Sequence, residues 1–392
     1  MKLLLNIESM RPPLTGIGNY TLHLAKELSS MGILERFTCF DGMAFHDAGE
    51  AIEQYEQAAR DYHQNDTPPA PHKLVPFLRR LPGAYRTRQA IRDLRLLRQS
   101  RAHSGYVYHE PNFILKNHAG PMIATIHDLS FNHYPQFHPK ERVDWMTGGL
   151  QATLERADLL LTVSELVRQE LIEDFNVAPS RIRAIHLGVD ESFHPRTALE
   201  TSATLDKYNL QHGCYVLFVG TLEPRKGVDV LLRAWLSLTP MLRQAFPLVL
   251  AGSSGWRNQP MMKMISELEA TEGLRWLRYV PAEELPSLYA GAAAFAYPSL
   301  YEGFGLPVLE AMASGIPVAC TAGTSMAEFA GPAPLLFEIN DHEALADALS
   351  RILEDNDLSQ ARSTLGLERA RQLTWRCFAE KTAQAYKTVS KS

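Results

Sequence analysis

Short, nearly unbroken apolar runs recur along the chain: Leu3 to Ile7, Met122 to Ile126, Leu159 to Val163, Tyr215 to Val219, Leu248 to Ala251, Ala293 to Tyr297 and Pro317 to Cys320. Runs of that length without polar alternation suit parallel strands covered on both faces. Between them apolar positions fall at helical spacing, as over Tyr20 to Ser30, Leu166 to Asp174, Val228 to Leu238 and Leu345 to Leu353. This alternation predicts an α/β chain with doubly wound sheets. The rhythm restarts near Tyr215, after a polar stretch with helix breakers from His194-Pro195-Arg196 to His212-Gly213. The domain boundary is placed there, giving Rossmann-like units at 1–195 and 196–374. Two such units facing each other leave a cleft between the carboxyl ends of two sets of strands. Trp375 to Val389 predicts a helix with no strand after it, and the tail 375–392 is able to pack on either unit, including back on the first.

Residues 42–105 interrupt the rhythm. Thr67-Pro68-Pro69-Ala70-Pro71 reads as a loop. Lys73 to Arg101 then carries nine basic residues (Lys73, Arg79, Arg80, Arg86, Arg88, Arg92, Arg95, Arg98, Arg101) against one acid, Asp93. Leu78, Leu81, Ile91, Leu94 and Leu97 interleave with them at amphipathic helical spacing. The segment reads as a basic insertion at about 70–102, able to meet an anionic membrane surface.

Composition narrows the classes. The 392 residues are 45% hydrophobic, ample for two large cores, which excludes disorder over most of the chain. The formal net charge of −5 argues against a general nucleic-acid binder. Cys39, Cys214, Cys320 and Cys377 are far apart and form no C-x-x-C pair, which fits a reducing compartment rather than a disulfide framework or zinc site. No 18-residue apolar stretch is present, so no membrane span is expected. The apolar run in MKLLLNIESMRPPLTG is too short for a signal peptide. The expected location is cytoplasmic, peripheral at the inner face of the membrane.

The chemistry concentrates in Pro298-Ser-Leu-Tyr-Glu302-Gly303-Phe304-Gly305-Leu306-Pro307-Val308-Leu309-Glu310. A strand ends at Pro298, a glycine-bearing loop follows, and Pro307 suits the first turn of a helix. The N–H groups from Gly303 to Leu306 and at Val308 are then free to face an anion. Glu302 and Glu310 place two carboxylates beside that anion, which suits polyhydroxylated groups next to a phosphate. Isolated acids at a helix start would merely meet its dipole, at about 0.3–1 kcal/mol.

This segment resembles the E-x7-E signature of retaining glycosyltransferases of family 4, which have the two-domain GT-B fold. Glu302 and Glu310 match its two glutamates. The resemblance implies that the first contacts the donor sugar and the second the ribose of the nucleotide. It covers nearly the whole chain. Gly220-Thr221-Leu222-Glu223-Pro224-Arg225-Lys226-Gly227 is similar to the family's phosphate motif, in which Arg225 and Lys226 would hold the diphosphate. Thr221 stands where many members have a basic residue, which leaves more of that work to Arg225 and Lys226. Thr15-Gly16-Ile17-Gly18-Asn19-Tyr20 resembles the glycine loop after the first strand, with Gly16 and Gly18 near the ligand. Position 21 is Thr, so no G-x-G-x-x-G dinucleotide motif is present. Ile126-His127-Asp128-Leu129 is similar to the family's H-D-L element, whose histidine approaches the donor sugar across the cleft. Gly252 and Ser253 at one strand end, and Val280 at another, mark the expected wall for the base.

The implied activity is transfer of a hexose from a nucleotide sugar to a saccharide acceptor with retention of configuration. The finer resemblance, through His127 to Phe131, His138-Pro139, Arg142-Val143 and Gly220 to Lys226, is to bacterial mannosyl- or rhamnosyltransferases of surface polysaccharide and O-antigen synthesis. That implies a GDP-linked donor and a lipid-linked acceptor. No metal or other cofactor is expected. His133 and His138 near His127 lack metal-ligand spacing, and Asp355-Asn356-Asp357 reads as a turn or cap. A sugar-nucleotide epimerase on the same fold is disfavoured by the E-x7-E segment. A non-enzymatic membrane-surface module leaves the cleft motifs unexplained.

Overall fold

The structure, a computed structural model, describes residues 1–64, 96, 101–255 and 258–390. Two sheets carry it. The first comprises β1 (Lys2–Asn6), β2 (Arg36–Phe40), β3 (Phe45–Asp47), β4 (Val107–Glu110), β5 (Met122–Ile126), β6 (Leu159–Thr162) and β7 (Ile182–Ala184), in the order β3-β2-β1-β4-β5-β6-β7. Only β3 runs antiparallel to its neighbour, as a short hairpin edge. The second comprises β8 (Val216–Val219), β9 (Leu248–Ala251), β10 (Arg275–Arg278), β11 (Ala294–Tyr297), β12 (Val318–Thr321) and β13 (Leu335–Phe337), all parallel, in the order β10-β9-β8-β11-β12-β13. Both are doubly wound α/β sheets of the Rossmann type, two facing units as expected of GT-B.

Burial explains which strands the apolar pattern revealed. In β6, β9, β11 and β12 every residue is buried, because helices cover both faces; β4 is as buried, but its Val-Tyr-His-Glu sequence leaves no apolar run. In β1, Leu3 and Leu5 enter one core while Leu4 enters the core on the opposite face. Edge strand β10 is only half-buried, and its sequence Arg-Trp-Leu-Arg hides it from a search for apolar runs.

The strand orders position the site. Each sheet reverses winding direction once, between β1 and β4 and between β8 and β11. A crevice opens there at the carboxyl ends of the strands. The loop after β8 holds Arg225 and Lys226, and the loop after β11 holds Glu302.

The chain crosses between the units twice. The linker donates Val189 N–H to the Leu373 carbonyl at 3.0 Å, and the backbone at Trp375 lies against Gly188. The helix Trp375–Val389 then packs on the helix Gly16–Met31 of the first unit. Trp375 stacks on His23 at 4.5 Å, and Phe378 meets Tyr20 edge-on at 5.0 Å.

The expected interruption at 42–105 needs correction at its start. β3 and the helix Ala48–Gln64 lie inside it. Nearly all of the basic stretch 73–101 lies outside the described residues. Among the described residues no helix is long and apolar enough to cross a membrane.

Candidate active site

Glu302 is the most heavily bonded side chain of the cleft. Its Oε1 accepts from Lys226 Nζ at 2.6 Å, Ser299 Oγ at 2.6 Å and Tyr297 OH at 3.2 Å. Its Oε2 takes only a long contact from Arg225 Nη1, at 3.4 Å, and so keeps capacity for a hydroxyl. Burial alone would raise this carboxyl, but Lys226 and Arg225 outweigh it and hold the group at about 2. Arg225 also donates to Glu223 Oε1 at 2.8 Å and to the Tyr301 carbonyl at 2.7 Å. Burial opposes its charge, yet Glu302, Asp128 and Glu223 raise its pKa further still. Two cations are therefore held between carboxylates, ready to be shared with an anion.

Local backbone explains why both cations point the same way. They lie in a 3₁₀ turn, Pro224–Lys226, rather than in the first turn of the helix Val228–Ser237. Gly227 ends that turn with φ +65°, and a Cβ there would sit 2.1 Å from the Pro298 carbonyl oxygen. The loops after β8 and β11 thus touch backbone to backbone.

The helix Leu306–Ala313 starts beside Glu302 with no side-chain cap; the Val308 N–H, expected to be free for an anion, instead donates to the Gly305 carbonyl at 3.0 Å and closes the first turn. Glu310 accepts one hydrogen bond, from Tyr289 OH at 2.8 Å. Burial pushes its carboxyl up to about 7, Tyr289 pulls it back, and Asp190 adds to the rise. The two glutamates of one motif are electrostatically unlike.

The opposite wall begins at the end of β5. His127 Nε2 lies 2.7 Å from the Pro111 carbonyl. A carbonyl only accepts, so Nε2 carries the proton. Burial pushes the imidazole down to about 4, against the pull of Pro111 and Asp128. His127 is therefore neutral at pH 7, with Nδ1 left as an acceptor. Gly303 brings the walls together: a Cβ on it would lie 1.7 Å from the His127 carbonyl oxygen. Tyr301 braces the same junction, accepting from Leu129 N–H at 2.9 Å and donating to Glu170 at 2.7 Å.

Other predicted positions take different places. Gly16 and Gly18 belong to the first turn of the helix Gly16–Met31, capped by Thr15, rather than to a loop. A Cβ on Gly16 would meet open space, whereas one on Gly18 would press on Ser9 and Leu14. Gly18 therefore serves packing. Gly252 lies against the Gly220 backbone and donates to the Arg278 carbonyl at 2.7 Å. The Ser253 carbonyl accepts from Leu222 N–H at 2.9 Å, and Val280 is buried. The side chain of Phe304 stacks on Phe329 in the core, its carbonyl accepts from Ser325 Oγ at 2.9 Å, and Leu306 is half-buried. His138 contacts Ser130, and His133 pairs with Glu170 and Asp174. Asp355 caps the helix Asn356–Ala370. Among the described residues no cluster of three or more His, Cys, Asp or Glu is placed to hold a metal.

Sequence reading missed Tyr297, Ser299, Glu223, Tyr289 and Tyr301, which tie the motif residues in place. It also missed a buried group at the β1/β4 crevice. There Lys116 Nζ bridges Glu110 at 2.9 Å and Glu8 at 3.0 Å, and Asn6 and Tyr108 also donate to Glu110. The one available signal was the polar residues Asn6 and Glu110, each ending a strand.

Comparison with known proteins shows the family. Residues 14–193 match the model described as Glycosyltransferase Family 4, and residues 206–367 match Glycosyl transferases group 1. The chain is 36% identical over 389 residues to the O-antigen chain mannosyltransferase B of Escherichia coli, covering 99% of this chain and 100% of that one. Among solved structures it resembles Anabaena Alr3699/HepE in complex with UDP and glucose, with a TM-score of 0.70, 17% identity and 99% of each chain covered. It also resembles WaaG, a glycosyltransferase involved in lipopolysaccharide biosynthesis, with a TM-score of 0.67, 15% identity and 98% and 99% covered. The chain therefore belongs to the GT-B glycosyltransferases, pairing a family 4 domain with a group 1 domain.

Proposed function

We propose that this glycosyltransferase moves mannose from GDP-mannose to a lipid-linked saccharide during O-antigen assembly, with retention of configuration and without a metal. The observation that carries this reading is the end-to-end similarity to an O-antigen mannosyltransferase, on a chain whose cleft holds the charge pattern of a diphosphate site. The diphosphate lies on the helix start at Gly303 to Val308, with Arg225 and Lys226 turning toward it. Charge grows on that leaving group as the sugar becomes oxocarbenium-like, and fixed donors aimed at it are the largest catalytic contribution. Glu302 Oε2 and His127 Nδ1 accept sugar hydroxyls, and Glu310 accepts from the ribose. The C–O bond to the diphosphate breaks, the acceptor oxygen bonds to the anomeric carbon on the same face, and its proton passes to the departing phosphate. The acceptor lies at the β1/β4 crevice, beside Glu8 and Lys116. The nine basic residues of 73–101 attach the enzyme to anionic lipid.

A transfer screen across GDP-, UDP-, ADP- and dTDP-sugars, run with and without EDTA, tests this. GDP-mannose should turn over, EDTA should leave the rate unchanged, and the product should keep the donor's anomeric configuration. Turnover restricted to another sugar, an inverted product, or loss of activity restored by Mg²⁺ would each refute the corresponding part.

A further inference from the structure

Behind His127 runs a line of buried polar groups that the reaction does not use. Tyr386 OH lies 2.7 Å from His109 Nδ1, and His109 Nε2 lies 2.8 Å from Thr125 Oγ1. Thr125 Oγ1 lies 2.8 Å from Tyr20 OH. None of the four residues is more than 1% exposed. Thr125 lies in β5 and His127 is the first residue past its end. Tyr20 spans both: its hydroxyl bonds Thr125, and its ring meets the His127 ring edge-on, centroids 4.8 Å apart and planes 86° apart.

A neutral His109, one nitrogen donating and one accepting, fits both neighbouring hydroxyls, each of which can donate or accept. Burial pushes that imidazole down to about 3, which favours the neutral form. Every polar atom of the line then has a partner, and each group fixes the next. Leaving one unpaired in so dry a place costs about 1–3 kcal/mol, so the hydroxyl of Tyr20 has one favourable position and its ring follows. The far end is on the helix Trp375–Val389, whose start is tied to the interdomain linker through Leu373 and Val189.

We propose that Tyr386 on the C-terminal helix is a positioning residue for His127, acting through His109, Thr125 and Tyr20. The inference rests on the reading of His127 as a donor-contacting group. It gives the returning helix a part in the chemistry beyond closing the fold.

Tyr386→Phe and Thr125→Val each remove one hydroxyl and little volume. In the full-length enzyme each should lower kcat about tenfold, as small misplacements of catalytic groups do, while leaving the donor KM nearly unchanged. The ring nitrogen resonances of His127 should shift in both variants. In a His127→Ala background, Tyr386→Phe should lower kcat no further. If both variants keep wild-type kcat while His127→Ala is impaired, or if the losses multiply, the line is structural only and the proposal fails. If His127→Ala itself turns over normally, the reading of His127 fails, a distinct result that removes the proposal's basis. Should Tyr386→Phe not fold, the Thr125→Val arm decides alone.

Discussion

The two walls of the cleft solve different electrostatic problems. The wall from the second domain is built of full charges: Arg225 and Lys226 lie among Glu302 and Glu223, at 2.6 to 3.4 Å. The wall from the first domain presents His127, neutral, backed by the neutral line of Tyr20, Thr125, His109 and Tyr386. Under the proposed function, the difference follows from what each wall would meet. A diphosphate gains charge as its bond to the sugar breaks, and fixed cations reward that change in the transition state. Sugar hydroxyls need acceptors in fixed places, and a buried ion there would carry a desolvation cost with nothing to repay it.

Breaking the charged wall should have the largest effect. Glu302→Gln keeps the shape but leaves Lys226 and Arg225 facing an amide. A charge-assisted hydrogen bond is worth about 1.5–3 kcal/mol, so kcat should fall about 10- to 150-fold, read by steady-state nucleotide release. The variant should also lose a pH signature. Glu302 is lowered from 4.5 to about 2 in the fold, so its contribution is complete above about pH 4.5 and disappears as pH falls toward 2. Acid unfolding curves of wild type and variant should converge at the low end. Parallel curves, with unchanged turnover, would remove Glu302 from the centre of the charged wall.

Separating the walls should come next. Gly303→Ala places a methyl 1.7 Å from the His127 carbonyl oxygen, a contact no rotamer change relieves because both partners are backbone-fixed. The walls must part, and turnover should fall about tenfold or more while each domain stays folded. Near-normal turnover would mean that the contact at Gly303 is not needed for reaction.

What the sequence revealed of this arrangement, and what it hid, follows the same physics. Fully covered strands such as β6, β9 and β11 leave apolar runs, and the glutamates and cations lie in short motifs after β8 and β11. Strands β2, β3, β7 and β10 were hidden because edges and half-buried faces admit Arg, Thr and His, β4 because its buried positions include His109 and Glu110, and β13 because it is only three residues long. The neutral wall was almost wholly hidden. Its line joins Tyr20, His109, Thr125 and Tyr386, and the His109–Tyr386 link spans 277 positions. No local pattern encodes such a contact. Glu302 was recognisable as a motif residue, but not that Tyr297 and Ser299 would hold it.

A pH profile sharpens the contrast within the charged wall. Glu310 is raised to about 7. If it accepts ribose hydroxyls as a carboxylate, binding favours ionisation, and donor affinity should rise with pH. For a group titrating near 7, affinity should gain about tenfold between pH 6 and 8. The opposite sign applies to folding: the raised value makes Glu310 cost least below about 4.5, with stability lost as pH rises through 7. Calorimetric titration of GDP against wild type and Glu310→Gln checks both the slope and its source. A slope that persists in the variant would assign it to another group.

The smallest expected effect concerns what holds the two walls in register away from the chemistry. Glu328, from the second domain, accepts from the N–H groups of Glu165 and Leu166 at 2.8 and 2.9 Å, and from His186 Nε2 at 2.6 Å. Those N–H groups open the helix Glu165–Phe175 of the first domain, where Ser164 already caps Val167. A carboxylate from one domain thus completes the cap of a helix in the other, where the helix dipole favours it. Glu328→Gln keeps one oxygen but turns an amide NH₂ toward a donor, so the three-donor arrangement no longer fits. An anion at a helix start contributes about 0.3–1 kcal/mol at partly exposed sites, which corresponds to roughly two- to fivefold. That factor should appear as lower kcat/KM and a larger radius of gyration by solution scattering, with thermal stability little changed. Added salt should shrink the difference, because the contact is partly open to solvent. Identical kinetics and dimensions in the variant would mean that closure does not depend on Glu328 and rests on the other contacts between the units, at Gly303, Tyr301 and the returning C-terminal helix.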